Sequence, residues 1–247
     1  MKGERLDERV LREGLASSRT AAQALIIAGR VLVDDERIDK SGTRIPADRN
    51  VRLKGGARRF VSRGGEKLSS ALTDLEVDPR GRVCLDVGAS TGGFTDCLLQ
   101  RGALRVVAID VGHSQIHSSL RLDARVEVRE RVNARNLRPG DFEDVFGLVV
   151  VDVSFISLKL ILPAIHACTP TAEWLLLVKP QFEVGREQVG KGGVVRDDTL
   201  REAAAEGVAE AASALGRIEI GRAESRVSGP KGNREIFVRF AAPEVEA

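Results

Sequence analysis

Residues 83–95 read Val-Cys-Leu-Asp-Val-Gly-Ala-Ser-Thr-Gly-Gly-Phe-Thr, a short apolar run followed by a glycine-rich turn. The apolar run predicts a buried strand, and the residues that begin at Phe94 predict the helix after it. Glycines let such a turn bend tightly and bring its backbone close to a ligand. The spacing Gly-x-x-x-Gly-Gly differs from the dinucleotide-binding Gly-x-Gly-x-x-Gly, and it lacks the Gly-Lys-Ser/Thr of a phosphate-binding P-loop.

The same alternation of strand and helix continues along the chain. The predicted strands are 82–87, 104–110, 125–129, 147–153, 173–179, 216–221 and 234–240. The predicted helices are 65–76, 92–101, 114–121, 157–168 and 198–215. Such alternation is typical of an α/β fold in which helices cover both faces of a mostly parallel sheet. Residues 63–247 are therefore predicted to form a Rossmann-like domain with a seven-stranded sheet.

Residues 1–54 are predicted to form a separate, small α+β domain. Two helical stretches, 5–13 and 19–28, precede a predicted hairpin over 30–38. Residues 55–62 are basic and rich in glycine at their start, which predicts a linker.

Basic charge is concentrated near the N-terminus. Of the 38 Lys and Arg residues, 15 lie in residues 1–66, together with 10 of the 36 Asp and Glu residues. This stretch therefore carries +5, although the net charge of the whole chain is only +2. The distribution favours a module that binds a polyanion, joined to a less basic body, and the alternative is a solvated basic surface.

Neither a membrane segment nor a metal site is predicted. The N-terminus has no apolar signal core, and Asp152, Lys159 and Pro163 interrupt the most apolar stretch, 147–165. The three cysteines are far apart and in apolar surroundings, so they fit neither a disulfide framework nor a metal-ligand pattern. These features predict a cytoplasmic protein with reduced thiols.

Polar residues follow the predicted strands at the edge where open α/β sheets bind ligands. Asp110 ends the second strand, where an acid can bind both hydroxyls of a ribose, and Asn133 follows the third, where an amide can bind an adenine edge. The predicted cofactor-binding residues are Asp86, Gly88, Ala89, Ser90, Thr91, Gly92, Gly93, Phe94, Thr95, Asp110, Val111 and Asn133. The alternative is that the polar residues are ordinary turn residues.

Four charged residues form a candidate catalytic set. Asp152 and Lys179 end the fourth and fifth predicted strands, where a charge within apolar surroundings is costly unless it is paired. We therefore expect these two side chains to face each other. Lys67 lies on the first helix of the domain and Glu235 opens the last strand. The alternative is an ordinary ion-pair network at a sheet edge.

The loop Asp86–Thr95 resembles the cofactor loop of FtsJ-like ribose methyltransferases, and Lys67, Asp152, Lys179 and Glu235 resemble their catalytic tetrad. The resemblance implies S-adenosylmethionine as cofactor and a ribose 2′-hydroxyl as methyl acceptor. Lys179 could take the proton of that hydroxyl, helped by a dry site and the nearby ammonium of Lys67. The two carboxylates would orient the two amines.

The N-terminal region resembles the S-four RNA-binding domain, through Arg5-Leu-Asp, Gly14-Leu-Ala, Ser18-Arg19 and Ile27-Ala-Gly-Arg-Val-Leu-Val. Arginines near helix ends can reach phosphates. The predicted RNA-binding residues are Arg5, Ser18, Arg19, Arg30, Arg58, Arg59 and Arg63.

Nearly the whole chain resembles the TlyA, or hemolysin A, family, through Arg58-Arg-Phe-Val-Ser-Arg-Gly-Gly, Asp152-Val-Ser-Phe-Ile-Ser and Lys179-Pro-Gln-Phe-Glu. The resemblance implies 2′-O-methylation of cytidine in the ribosomal RNA of ribosomal subunits. Phe60 stands where family linkers often carry Tyr or Trp, so the aromatic ring is retained without its hydrogen-bonding group. Two alternatives stay open: a membrane-active protein, as the hemolysin name suggests, and a non-catalytic RNA-binding ribosome-assembly factor.

Overall fold

The structure, a computed structural model, describes residues 3–34, 36–54, 59–229 and 232–242. Arg58, one of the predicted RNA-binding residues, lies outside the described residues. The chain divides into two compact units, residues 1–59 and 60–247.

The small unit consists of two helices and short antiparallel strands. Its elements are β1 (Glu4–Arg5), α1 (Leu6–Arg12), α2 (Arg19–Ile27), β2 (Val31–Val33), β3 (Glu36–Arg37), β4 (Arg44–Ile45) and β5 (Val51–Leu53). Ser18 caps α2 by accepting a hydrogen bond from the backbone N–H of Ala21 at 3.1 Å. Strands β3, β2 and β5 form one sheet and β1 pairs with β4. The predicted hairpin over 30–38 is present, whereas the β1–β4 pair was not predicted because its strands have two residues each.

The large unit alternates strands and helices. Its elements are α3 (Arg63–Asp74), β6 (Val83–Val87), α4 (Gly93–Gln100), β7 (Arg105–Asp110), α5 (Ser118–Arg121), β8 (Val126–Glu130), β9 (Leu148–Val151), α6 (Leu162–Cys168), β10 (Glu173–Val178), α7 (Pro180–Glu183), α8 (Asp198–Ser213), β11 (Glu219–Glu224) and β12 (Ile236–Phe240). Short 3₁₀ turns cover Ala134–Asn136, Leu158–Leu160 and Arg186–Gln188.

The large sheet has seven strands in the order β11-β12-β10-β9-β6-β7-β8. Strands β10, β9, β6, β7 and β8 are parallel, and β12 runs antiparallel to both of its neighbours. The predicted α/β fold with a seven-stranded, mostly parallel sheet is therefore confirmed.

Apolar clusters cover both faces of this sheet. Leu85 and Val87 of β6 belong to one cluster with residues of α6 and α8, whereas Cys84 belongs to another with residues of α3 and α4. Because side chains alternate along a strand, Asp86 also lies on the face covered by α3 and α4. A carboxylate is thus placed inside the apolar core of this unit.

Several predicted elements have shifted boundaries: the helix predicted over 157–168, for example, is a 3₁₀ turn, Leu158–Leu160, followed by α6 from Leu162. The helix predicted over 114–121 begins only at Ser118, because Ser114 has a φ of +56°, which is incompatible with a right-handed helix. The strand predicted over 216–221 begins only at Glu219, because Gly216 has a φ of +79° and the backbone N–H of Arg217 still donates to the carbonyl of Ala212 at the end of α8. The guanidinium of Arg217 donates to the backbone carbonyl of Ala172 at 2.5 Å and lies 3.9 Å from the ring centre of Trp174.

Candidate active site

A cavity of about 440 Å³ lies beyond the carboxyl ends of β6, β7, β8 and β9. Of the predicted cofactor-binding residues, five line it: Gly88, Ser90, Asp110, Val111 and Asn133. This is the edge at which open α/β sheets bind ligands, and the volume is in the range of small-molecule sites.

The first turn of the cavity wall depends on Gly88. Val87 pairs with Ile109 on one side and with Val151 on the other, so Gly88 leaves the sheet between two neighbouring strand ends. Gly88 has a φ of +88°, and a Cβ atom there would lie 2.4 Å from the backbone oxygen of Asp152. Only glycine therefore fits at this position without a shift of the Asp152 backbone.

The carboxylate of Asp110 is held from two sides. One oxygen accepts from the backbone N–H of Ser90 at 2.8 Å, and the other accepts from that of Gly112 at 2.6 Å. Each oxygen keeps a further acceptor position, so the group could bind the hydroxyls of a ribose. The hydroxyl of Ser90 also contacts the Gln115 side chain at 3.3 Å, and Gln115 lines the cavity although it was not predicted.

Asp86 lies behind the loop and does not line the cavity. Its side chain is fully buried, and one oxygen accepts a hydrogen bond from the hydroxyl of Thr95 at 2.6 Å. The other oxygen has no hydrogen-bond partner among the described residues. Burial raises the pKa of Asp86 to about 7, although the Thr95 hydrogen bond opposes the shift. The Asp86–Thr95 pair therefore joins the end of β6 to the first turn of α4.

Several other predicted cofactor-binding residues lie outside the cavity lining. They are Ala89, Thr91, Gly92, Gly93, Phe94 and Thr95. Gly93 allows a close approach between helices, because a Cβ atom there would lie 2.8 Å from the backbone nitrogen of Gly65. Phe94 is buried in the core and stacks against Phe237. For these two residues the observed contacts are packing contacts.

The cavity has a second wall that the sequence did not predict. It follows β9 and contains Val153, Ser154, Phe155 and Ile156. Glu183 in α7 holds this wall by accepting from the Ser157 hydroxyl at 2.6 Å and from the backbone N–H of Leu158 at 2.7 Å. The position of this segment directly after Asp152 is the signal that could have identified it.

The structure brings the four candidate catalytic residues together as two ion pairs. The Nζ atom of Lys179 lies 2.5 Å from a carboxylate oxygen of Asp152, and that of Lys67 lies 2.5 Å from a carboxylate oxygen of Glu235. Lys179 also donates to the hydroxyl of Ser154 at 2.8 Å. The expected pairing of Asp152 with Lys179 is thus present, beside the cavity that Asp152 and Ser154 line.

Strand register explains this meeting. Val178 pairs with Ile236 in the antiparallel β10–β12 ladder, so Lys179 and Glu235 are the next residues at the same edge of the sheet. Lys67 reaches that edge from α3. Lys67 and Glu235 are 168 residues apart in sequence, and the fold brings their side chains together.

The tetrad is largely removed from water. Lys67 is 7% exposed, Lys179 is 8% exposed and Glu235 is fully buried. Burial raises the pKa of Glu235, and the charges of Lys67 and Lys179 oppose that shift. A second oxygen of Glu235 has no hydrogen-bond partner among the described residues.

Gly229, which the sequence did not indicate, packs against that carboxylate. A Cβ atom at Gly229 would lie 2.2 Å from the Oε1 atom of Glu235. The arrangement can place two amines and two carboxylates beside a bound ligand and can accept or return a proton there. Among the described residues, no group of three or more His, Cys, Asp or Glu side chains is arranged to hold a metal ion.

The predicted RNA-binding arginines of the small unit surround a buried carboxylate. Asp7, fully buried, accepts from both Arg5 and Arg19 at distances of 3.0 to 3.1 Å and from Gln23 at 2.9 Å. These bonds, chiefly the one from Arg5, lower the pKa of Asp7. Sequence reasoning did not identify Asp7 as the residue that orients these side chains, because its partners lie up to 16 residues away.

The remaining predicted RNA-binding residues have varied surroundings. Arg30 is half-buried at the end of the α2–β2 turn, and Arg59 is exposed. Arg63, exposed on the large unit, donates to the backbone carbonyl of Ser228 at 3.0 Å. No helix among the described residues has the length and apolar character needed to span a membrane.

Comparison with known proteins gives matches over both units. The FtsJ-like methyltransferase family matches residues 60–242, and the S4 domain matches residues 4–51. A Mycobacterium tuberculosis protein named 16S/23S rRNA (cytidine-2′-O)-methyltransferase TlyA is 47% identical over 236 residues, which cover 95% of this chain and 88% of the relative. Hemolysin A of Brachyspira hyodysenteriae is 42% identical over 96% of this chain and 99% of its own length. The solved structure of a Streptococcus thermophilus protein that carries a hemolysin name aligns with a TM-score of 0.76 and 40% identity, over 99% of this chain and 90% of its own.

Proposed function

Since the chain belongs to the FtsJ-like methyltransferase family and carries an S4 domain, we propose that it methylates the 2′-hydroxyl of cytidine in ribosomal RNA, with S-adenosylmethionine as methyl donor. The observation that carries the proposal is that two largely buried ion pairs, Lys179–Asp152 and Lys67–Glu235, lie beside a nucleoside-sized cavity. The choice of cytidine and of ribosomal RNA comes from the names of relatives such as TlyA of Mycobacterium tuberculosis. Because ribosomal RNA is its substrate in this proposal, we also propose that the protein acts in the cytoplasm.

The described residues fit the cofactor. When bound, S-adenosylmethionine supplies a methyl group activated by a positively charged sulfur. Asp110, held by two backbone N–H groups, would bind the ribose hydroxyls, and Asn133 would bind the adenine edge. Gly88 lines the cavity, and because it has no side chain the loop backbone can approach the rest of the ligand.

The tetrad would act on the acceptor hydroxyl. A ribose hydroxyl is a weak nucleophile, so its proton must leave as the new carbon–oxygen bond forms. In this proposal the Nζ atom of Lys179 takes that proton, while Asp152 and Ser154 hold the amine in position. Lys67, held by Glu235, supplies the second amine of the set. Correct placement of the acceptor supplies much of the remaining rate enhancement.

The test measures methyl transfer directly. Purified protein is incubated with radiolabelled S-adenosylmethionine and bacterial ribosomal subunits, and the RNA is digested to nucleosides that are separated and identified by mass spectrometry. We expect label in 2′-O-methylcytidine with the wild-type protein. With Lys179→Ala we expect a rate lower by a factor of roughly 10² to 10⁴, the usual contribution of a general base.

A matched control is Lys159→Ala, which removes an exposed lysine from a 3₁₀ turn of the same unit. This variant is expected to retain wild-type activity. The absence of label from RNA with the wild-type protein would refute the proposed function. Equal rates for Lys179→Ala and the wild-type protein would refute the proposed role of Lys179.

A further inference from the structure

The connection between α7 and α8 carries three exposed basic residues, Arg186, Lys191 and Arg196. Gly190 and Val194 form an isolated antiparallel bridge within it, so residues 185–196 are called the basic hairpin below. Within residues 59–229 and 232–242, no carboxylate forms an ion pair with any of these three side chains. Their charges are therefore available to an external anion.

Exposed basic residues at the two edges of the large sheet differ in this respect. At the opposite edge of the sheet, where the parallel strands begin, arginines pair with acids: Arg80 with Asp78 at 2.6 Å and Arg125 with Asp123 at 2.7 Å. Arginines that are already paired gain less from a phosphate, because the existing partner must be displaced. Exposed basic residues without an ion pair follow the carboxyl ends of strands instead: the basic hairpin after β10, Lys159 after β9, and Arg131, Arg135 and Arg138 after β8.

A buried amide fixes the basic hairpin beside the tetrad. Asn233 is 2% exposed, and its side-chain oxygen accepts from the backbone N–H of Val195 at 3.0 Å. Its side-chain nitrogen donates to the backbone carbonyl of Gly193 at 2.8 Å. Asn233 stands two residues before Glu235, so the same segment that carries the tetrad carboxylate also holds the hairpin.

We propose that the basic hairpin binds backbone phosphates of the RNA next to the methylated ribose, and that Asn233 positions the hairpin for this contact. The inference rests on the proposed function. A ribose whose hydroxyl reaches the buried Lys179 is joined to a phosphate on each side, and those phosphates must lie at the rim of the site. Arginine and lysine side chains without an internal partner suit such contacts, which position the nucleic acid without reading its sequence.

The experiment compares two variants that lose the same charge. Lys191→Gln/Arg196→Gln alters the basic hairpin, and Arg80→Gln/Arg125→Gln alters paired arginines at the opposite edge. Binding of labelled bacterial ribosomal RNA is measured by filter retention between about 50 and 200 mM KCl, the range in which phosphate contacts are strongly salt-dependent. For the hairpin variant we expect affinity to fall about tenfold at the lower salt concentration, and the slope of log K against log salt to decrease by about two.

The control variant is expected to bind as the wild type does. Equal affinity and equal salt slope for the two double variants would overturn the inference. Asn233→Ala is expected to weaken RNA binding while S-adenosylhomocysteine still binds, as measured by calorimetry, and unchanged RNA binding would overturn the positioning role. Failure of the wild-type protein to methylate ribosomal RNA would refute the proposed function instead, and that result comes from a separate measurement.

Discussion

Both edges of the large sheet carry carboxylates, but the pKa values of these carboxylates shift in opposite directions at the two edges. At the amino edge, hydrogen bonds from Arg80 and Arg125 lower the pKa of Asp78 and of Asp123 to about 2. At the carboxyl edge, burial raises the pKa of Asp86 to about 7 and also raises that of Glu235. Asp78 and Asp123 are partly exposed and paired with arginines, whereas Asp86 and Glu235 are buried and each has one oxygen without a hydrogen-bond partner among the described residues. Perturbed pKa values cluster at functional sites, and the comparison therefore favours the carboxyl edge as the site of the proposed chemistry.

Strand β10 runs from one edge of the sheet to the other, and the residues at its two ends give the prediction with the largest effect. Glu173 at the amino end is held by Arg82 and Arg239, each at 2.6 Å, and Lys179 follows the carboxyl end beside Asp152. Asp152→Asn removes the carboxylate that orients Lys179, so we expect methyl transfer to fall by a factor of roughly 10² to 10³. Because Lys179 is 8% exposed and would lose its carboxylate partner, we also expect the free energy of unfolding to decrease by about 1 to 3 kcal/mol.

Glu173→Gln is the control at the other end of the strand. It leaves two arginines without their shared carboxylate, and we expect the free energy of unfolding to decrease by about 1 to 3 kcal/mol with activity per folded molecule unchanged. Single-turnover rates and urea unfolding of both variants measure the two effects. An Asp152→Asn variant that is as active as Glu173→Gln would remove the functional distinction between the edges.

Glycines at the two ends of β6 give the second prediction. Gly88 and Gly81 both have positive φ angles, +88° and +68°, but a Cβ atom at Gly88 would clash with the backbone of Asp152, whereas at Gly81 nothing lies within 4 Å. We expect Gly81→Ala to cost about 1 kcal/mol from backbone strain alone. For Gly88→Ala we expect about 3 kcal/mol or more, because strain and clash combine.

Cofactor binding gives a second measurement on the two glycine variants. Calorimetric titration with S-adenosylhomocysteine should give wild-type affinity for Gly81→Ala and a loss of at least tenfold for Gly88→Ala, since the shifted loop would no longer hold Asp110 through Ser90. Similar unfolding free energies for the two variants would contradict the close approach between Gly88 and Asp152.

The sequence predicted the carboxyl edge better than its surroundings, and the reason is topological. Charged residues after apolar parallel strands must meet at one edge, so the pairing of Asp152 with Lys179 follows from strand order alone. Gly229 behind Glu235 and Asn233 beneath the basic hairpin were missed, because neither shows a local pattern. Their roles depend on contacts between segments that are distant in sequence.

The same limit applies to the small unit and to the glycine-rich loop. The two helices were predicted from their periodicity, but the burial of Asp7 beneath two arginines requires the packed unit. The loop motif likewise did not separate Gly88, which lines the cavity, from Gly93, which lets two helices approach. Glycine permits both, and only the neighbouring atoms distinguish them.

Asp86 gives a prediction about pH. In the folded state its pKa is about 7 against an ordinary value of 3.8, so between these values the folded protein holds a proton that the unfolded chain has released. This contribution to stability is present at low pH and is lost as the pH rises towards 7. Asp86→Asn lacks it, so the stability of the variant relative to wild type should rise by roughly 2 kcal/mol between pH 5 and pH 7. Urea unfolding at both pH values measures the difference, and a pH-independent difference would show that Asp86 is ionised when folded.

Asp78 gives the smallest expected effect, with the opposite sign. Its folded pKa of about 2 lies below the ordinary 3.8, so the folded protein releases a proton that the unfolded chain still holds between these values. Its contribution is present above pH 4 and is lost as the pH falls towards 2. Because the Arg80–Asp78 pair is exposed, the stability lost in Asp78→Asn should be barely measurable at pH 5, absent at pH 2 and further reduced by salt. A stability difference that grew on acidification would mean that Asp78 is not ion-paired, and the contrast between the two edges would then rest on the carboxyl edge alone.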